Sequence, residues 1–311
     1  MNQKLRTLYL VFPCLVALTC FPLLPVPVFF IRSTIIMIMW IILAESWNIL
    51  GGYAGYVSFG HATFFGLGAY FVAIVLRDLG ASPFLTAPIA GLFTSGVAFV
   101  FGYAVLRLKG NYFSIATLSL NYVVLLLISN LYWLTGGGNG LSLPSLSLGI
   151  KTTLSVFYWY LLAVALVAIF VIYRVTQSTF GWAMLAIRES EDAARSLGIN
   201  VDFIKRRAYA ISAFFPGLVG GVYAYFISYI DPPSAFALAF NLNVVLMSIF
   251  GGLGTILGPL IGAVSLTTVL LSVTYVFMSS LNLAIYGVAL IVVVMFAPDG
   301  ILRLISRRKW A

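Results

Sequence analysis

The chain has 311 residues, of which 62% are hydrophobic and only 8% charged, and its mean hydropathy is +1.09. Soluble domains carry about 25% charged residues, so this composition excludes a soluble enzyme and indicates an all-α, polytopic transmembrane helical bundle. The net charge of +9 does not imply a nucleic-acid partner, because the basic residues lie in loops between apolar runs, where the positive-inside rule places them.

A bilayer core of about 30 Å needs roughly 20 apolar residues per helix. In chain order, candidate spans cover 8–27, 32–50, 56–76, 84–106, 112–134, 155–173 and 208–230. A long glycine-rich segment, 242–275, follows, and a last span covers 282–298. Lys4 and Arg6 before the first run resemble a signal peptide, but the many later spans favour an uncleaved first span. Cys14 and Cys20 both lie in that run and read as small buried hydrophobes rather than a disulfide. Asp231-Pro232-Pro233 and Ala297-Pro298-Asp299-Gly300 are stops.

Charge sets the orientation. With the N-terminus in the cytoplasm, Lys4, Arg6, Arg107, Lys109, Arg174, the basic residues of 188–207 and those of 303–309 fall inside. Arg32, Arg77 and Lys151 alone fall outside, and both termini are then cytoplasmic. Parity requires an odd number of crossings after residue 231. Segment 242–275 either splits near Gly251-Gly252-Leu253-Gly254 into two spans, giving about ten in all, or is re-entrant, giving about eight. The split is the preferred reading. Gly51-Gly52 and Gly251-Gly252, each followed by further glycines (Gly66 and Gly68; Gly258 and Gly262), hint at an inverted repeat. The whole chain, 1–311, reads as a single transmembrane domain with one cytoplasmic loop at 174–207, too short to be a domain of its own.

That loop holds the only long polar stretch. Residues 181–200 are good helix formers, and Ile187, Ala194 and Leu197 recur at helical spacing opposite Arg188, Glu189, Glu191 and Asp192. Gly198 is placed to end the helix, with Asn200 in the turn. A short amphipathic helix on the inner face suggests a docking element; an ordinary solvated loop is the alternative.

Enzyme chemistry finds no support. There is one histidine, His61, and no HExxH, CxxC or GxSxG. The glycines of 252–258 lack the Gly-Lys-Ser/Thr of a phosphate loop and read as helix-packing or helix-breaking residues. The expectation is therefore no catalytic residue, no metal and no cofactor. The intramembrane polar residues are more informative. Glu45 and Asn48 lie one turn apart, Ser58 and His61 share a face, and Asn121 lies in a later span. They could line a polar route for a zwitterionic or amide-like solute, or hydrogen-bond between helices to fix the packing; Asn130, Asn241, Asn243 and Asn282 are open to the same two readings. The outer loop, with Gly136, Gly137 and Asn139, is either a flexible contact for an external partner or a turn-forming linker.

Several ordered motifs together carry a family resemblance. Ser46-Trp47-Asn48-Ile49-Leu50-Gly51-Gly52 through Ser58-Phe59-Gly60-His61 to Gly66-Leu67-Gly68-Ala69-Tyr70 closely resembles the early signature of LivM-type permeases, subunits of branched-chain amino acid ABC importers. Gly110-Asn111-Tyr112-Phe113, the Thr135–Leu141 loop, Ala186–Ala194 with Leu197–Asn200, Gly251–Thr255 and Phe296–Gly300 extend it over about 40 to 300. The resemblance implies an inner-membrane permease subunit without a nucleotide site of its own. Its partners would be a second, LivH-like permease, two cytoplasmic ATP-binding subunits, a periplasmic solute-binding protein and membrane lipid. The 181–200 helix would be the coupling helix, with Ile187, Arg188, Glu189, Glu191, Asp192, Ala193, Ala194, Leu197 and Gly198 its contact residues. Asp192 stands where that pattern usually has Glu, and no Ile-x-Leu-Pro follows. Urea or short amides compete with branched-chain amino acids as substrate. A proton-coupled secondary transporter using Glu45 and His61, and a non-transporting scaffold, are the readings from other classes.

Overall fold

The computed structural model describes residues 18–146 and 148–277. The expected last span at 282–298, Asn282, Cys14 and the first half of the expected first span lie outside the described residues.

Long helices dominate: α1 (Val28–Asn48), α2 (His61–Leu79), α3 (Pro83–Val105), α4 (Asn111–Asn130), a short α5 (Tyr132–Thr135) and α6 (Ile150–Thr176). Two short inner-face helices follow, α7 (Thr179–Glu189) and α8 (Glu191–Ser196). The chain then continues through α9 (Val201–Ile227), a short α10 (Pro232–Ala235), α11 (Leu238–Gly251) and α12 (Leu257–Phe277). Two two-residue strands, β1 (Leu141–Ser142) and β2 (Tyr229–Ile230), pair antiparallel at the other end of the bundle. Among the described residues, 7 helical segments are long and apolar enough to cross a membrane, and α12 is apolar as well. The chain is a multi-pass membrane protein.

Segment 242–275 is broken where the glycines lie: α11 ends at Gly251 and α12 starts at Leu257. The expected inner helix at 181–200 is corrected to two. Ser190 adopts an extended conformation (φ −161°, ψ 118°) and its hydroxyl accepts from the Ala193 N–H, so it caps α8 instead of continuing α7. Gly198, at φ 82°, closes α8 as expected. Cys20 is a free thiol and is exposed, not buried as its apolar run suggested. It sits at the rim of the described bundle, beside Leu18 and Thr19, whose carbonyls accept from Tyr158 and Trp159.

The core forms around α9, which lies against α2 and α3. Membrane helices associate through close approach rather than through a hydrophobic drive, and small residues permit it. A Cβ on Gly68 would meet the Gly217 carbonyl oxygen at 2.0 Å, and one on Gly220 would meet that of Phe65 at 2.0 Å. Two prolines interrupt these helices. Pro88 in α3 and Pro216 in α9 each lack the N–H that would bond to the carbonyl four residues earlier. Both freed carbonyls are satisfied from another helix: the Tyr160 hydroxyl donates to the Phe84 oxygen at 2.8 Å, and the Ser46 hydroxyl donates to the Ser212 oxygen.

Candidate functional site

The inner end of the bundle brings together the end of α1, the α11–α12 break and the α7–α8 loop. After α1 the chain makes one π-helical turn, Ile49–Tyr53, then runs without helix to His61. The expected span start at residue 56 is therefore corrected to 61. Non-helical backbone among membrane helices must be satisfied by protein, and here it is. Trp47 Nε1 donates to the Ser58 carbonyl at 2.8 Å, Phe59 N–H to Thr117 Oγ1 at 3.0 Å, and Ser114 Oγ to the Val57 carbonyl at 2.7 Å.

Asn48 is a clamp across the α11–α12 break. Its side-chain NH2 donates to the Thr255 carbonyl at 2.8 Å and its oxygen accepts from Gly254 N–H at 2.9 Å. A Cβ on Gly52 would lie 2.6 Å from Gly254 N, so the two glycine segments singled out in the sequence abut one another. Asn121 is likewise committed to packing: it donates to the Phe236 carbonyl at 2.8 Å and accepts from Thr63 Oγ1 at 3.1 Å. The Ser58 hydroxyl accepts from Gly60 N–H, and Asn241 accepts from Ala62 N–H at 2.8 Å.

Glu45 and His61 differ. Both are buried, and neither carboxylate oxygen nor either ring nitrogen has a hydrogen-bond partner among the described residues. The Glu45 carboxylate lies toward the backbone of Leu260 in α12 without reaching hydrogen-bond geometry. The candidate pathway residues thus fall into two neighbourhoods. Glu45 and Asn48 face the α11–α12 break and α12; Ser58, His61 and Asn121 sit around the start of α2.

The α7–α8 loop is held to the bundle by specific contacts. Met184, Ile187, Ala194 and Val201 are buried in the chain's own core beside Phe113 and Tyr209. The apolar stripe, Ile187 and Ala194 included, is therefore used within the subunit. Arg188 Nη1 donates to the Gly52 carbonyl at 2.6 Å, and a Cβ on Gly254 would meet the same Nη1 at 2.8 Å. One side chain of the loop touches both the end of α1 and the α11–α12 break.

Lys205 is the residue the sequence reading missed, having counted it only as inner-face charge. Its side chain is 2% exposed and its Nζ donates to Glu191 Oε1 at 3.2 Å, Tyr56 Oη at 3.0 Å and the Leu106 carbonyl at 2.9 Å. The available signal was helical spacing: Lys205 shares a face with Val201, Ala208, Tyr209 and Ser212, all buried. Lys109 pairs with Asp192 at 3.5 Å and reaches Glu191 at 3.9 Å. These contacts leave Glu189, Ala193, Arg195, Ser196, Leu197 and Gly198 exposed, with Leu197 at 79%. A polar cavity of about 370 Å³ opens beside them, lined by Lys109, Arg188, Glu189, Glu191, Asp192 and residues 54–57 among others.

At the opposite end, the Thr135–Leu141 loop, read either as a flexible contact or as a turn-forming linker, is a built turn. Gly137 is buried, the Thr135 hydroxyl accepts from Gly137 N–H at 3.2 Å, and Tyr229 Oη donates to the Asn139 carbonyl at 3.0 Å. Gly138 and Asn139 remain exposed at its tip, whereas Gly136 is half-buried.

Among the described residues, seven helical segments apolar enough to cross a membrane surround a structured inner-face loop and the break that it touches, an arrangement suited to a membrane permease, and the comparisons agree. Residues 29–295 match the family described as branched-chain amino acid transport system, permease component. The chain belongs to this family. It is 32% identical over 299 residues to the high-affinity branched-chain amino acid transport permease LivM of Escherichia coli, covering 87% of this chain and 69% of that one. It is 23% identical over 313 residues to a probable LivM of Methanocaldococcus jannaschii, covering 85% and 90%. It is 30% identical over 219 residues to the autoinducer 2 import permease LsrC of Yersinia enterocolitica, covering 68% and 59%. No solved structure matches it. As a permease component, the chain is a transport subunit and not an enzyme, and it works with other transport components.

Proposed function

We propose that this chain forms one half of the translocation pathway of an ATP-driven importer for branched-chain or related amino acids in the bacterial plasma membrane. A LivH-like permease supplies the other half, two cytoplasmic ATP-binding subunits dock on the α7–α8 loop, and a periplasmic binding protein delivers solute at the Gly138–Asn139 face. The observation that carries the reading is the contact of Arg188 with Gly52 and its approach to Gly254. Energy from a separate subunit changes the state of the pathway only if that subunit makes different contacts in the two states. Movement of the exposed side of α8 reaches the helix break through Arg188. Leu197, Arg195 and Glu189 supply the exposed contacts, and Asn48 holds the far side of the break.

The test is uptake by the reconstituted complex of all five chains. Losing a charged hydrogen bond of about 2 kcal/mol weakens the link about thirtyfold, so Arg188→Met should depress leucine uptake strongly while the ATP-binding subunits still co-purify and hydrolyse ATP. Normal uptake in Arg188→Met refutes the link. Uptake should persist when the proton gradient is collapsed with ATP maintained; its loss would favour a secondary transporter. Competition of labelled leucine by excess isoleucine and valine, but not by urea or acetamide, identifies the solute class.

A further inference from the structure

The inner ends of α3 and α9 form a second cavity, of about 340 Å³, lined by Gly102, Tyr103, Leu106, Arg107, Asn200, Asp202 and Arg206. Two guanidinium groups stand near one ring there: Arg107 is 4.3 Å from the Tyr103 centroid, and Arg206 lies between Tyr103 and Phe99, 5.7 Å and 5.4 Å from their centroids. The two cations are therefore within about 10 Å of each other, near the Debye length at physiological salt, and their repulsion is only partly screened. Neither forms an ion pair with a carboxylate among the described residues. Arg206 Nε donates to the Asp202 carbonyl at 3.2 Å, and the Asp202 carboxylate is taken by Arg195 at 2.9 Å. The positive-inside rule accounts for arginines on this side of the membrane, but not for two of them near one ring at the mouth of a cavity.

The face leading to the cavity is apolar and exposed. Along α3, Ile89, Leu92, Val100 and Tyr103 are 53%, 65%, 69% and 59% exposed. Gly96 lies among them with nothing within 4 Å of a Cβ placed on it, so the stripe carries a shallow groove. Apolar groove and paired guanidinium groups stand in the order of acyl chain and headgroup in the inner leaflet. We infer that this cavity holds the phosphate of an anionic phospholipid, with Arg107 and Arg206 as its ligands and the α3 stripe against its acyl chains. Guanidinium groups match phosphate oxygens in bidentate geometry, and basic pockets between membrane helices on the cytoplasmic side suit such headgroups. The inference does not depend on which solute the complex carries.

The test is native mass spectrometry of the purified complex in non-ionic detergent, titrated with dioleoylphosphatidylglycerol against dioleoylphosphatidylcholine. The wild type should retain phosphatidylglycerol in preference. Each arginine near the membrane surface contributes enough that Arg107→Gln should lower that preference about fivefold. Arg107 is exposed and makes no hydrogen bond among the described residues, so this variant should assemble. Arg174→Gln, which removes an inner-face arginine stacked instead on Phe170, should leave the preference unchanged. Equal retention of both lipids by the wild type, or an equal loss in Arg174→Gln and Arg107→Gln, overturns the site. Displacement of the lipid by millimolar inorganic phosphate would show a soluble anion as the ligand, and cross-linking of residue 107 to a partner subunit would show a protein interface; either result also overturns it.

Discussion

Replacing Lys205 by methionine removes the cation that holds α8 against the bundle. Lys205 and Glu191 are 2% and 11% exposed at the side chain, so the acid is left nearly desolvated and the Leu106 carbonyl and Tyr56 hydroxyl lose their donor. Breaking a buried pair from one side costs about 3–5 kcal/mol. Lys109, at 3.9 Å from Glu191, still offsets part of the stranded charge, so the lower end, about 3 kcal/mol, applies. That raises the population of a detached α8 about 150-fold. Hydrogen exchange in the assembled complex reads this directly, because the amides of Ala194, Leu197 and Ile199 are bonded within the α8 turn. Exchange over 190–199 should accelerate by about two orders of magnitude, and the double variant Lys205→Met/Glu191→Leu should recover most of the protection because no charge is stranded. Exchange unchanged in the single variant, or as fast in the double as in the single, would refute the reasoning.

Two substitutions on α8 and its turn should separate packing from docking. Ala194 is 1% exposed and Leu197 79% exposed, so Ala194→Arg should disrupt the loop and speed its proteolysis, whereas Leu197→Asp should leave the loop intact and abolish co-purification of the ATP-binding subunits. Gly68→Ala drives a methyl into the Gly217 carbonyl at 2.0 Å, and the complex should lose several degrees of thermal stability, measured by light scattering on heating. Glu45→Gln removes a buried carboxylate with no hydrogen-bond partner among the described residues; assembly measured by size-exclusion chromatography should hold while uptake falls, and unchanged uptake would remove Glu45 from the pathway.

The long apolar runs located the helices within a few residues: 84–106 became Pro83–Val105, and the glycine-rich 242–275 split at its glycines. The largest shift was at α9, expected from 208 and observed from Val201. Lys205-Arg206-Arg207 looks like loop to any hydropathy window, yet Lys205 is buried because Glu191 and two oxygens from other segments meet it there. Such a partnership joins residues distant in sequence; helical spacing shows only that Lys205 shares the buried face of Val201, Ala208, Tyr209 and Ser212, not what meets it there. The same holds for Arg188, whose charge was legible but whose contact with Gly52 was not. Asn48 and Asn121 were legible as polar residues among apolar ones, and the packing reading fits both, since each spends its amide on groups of other segments.

The prolines of α3 and α9 have a consequence for anyone altering this bundle. Restoring an N–H at position 216 by Pro216→Ala would give the Ser212 oxygen a donor in its own helix, and Ser46 would then be the group competing for an acceptor. The same exchange links residue 88 to Tyr160. Each proline thus hands a backbone acceptor to a hydroxyl on a neighbouring helix, so a change at either partner is felt in two helices at once.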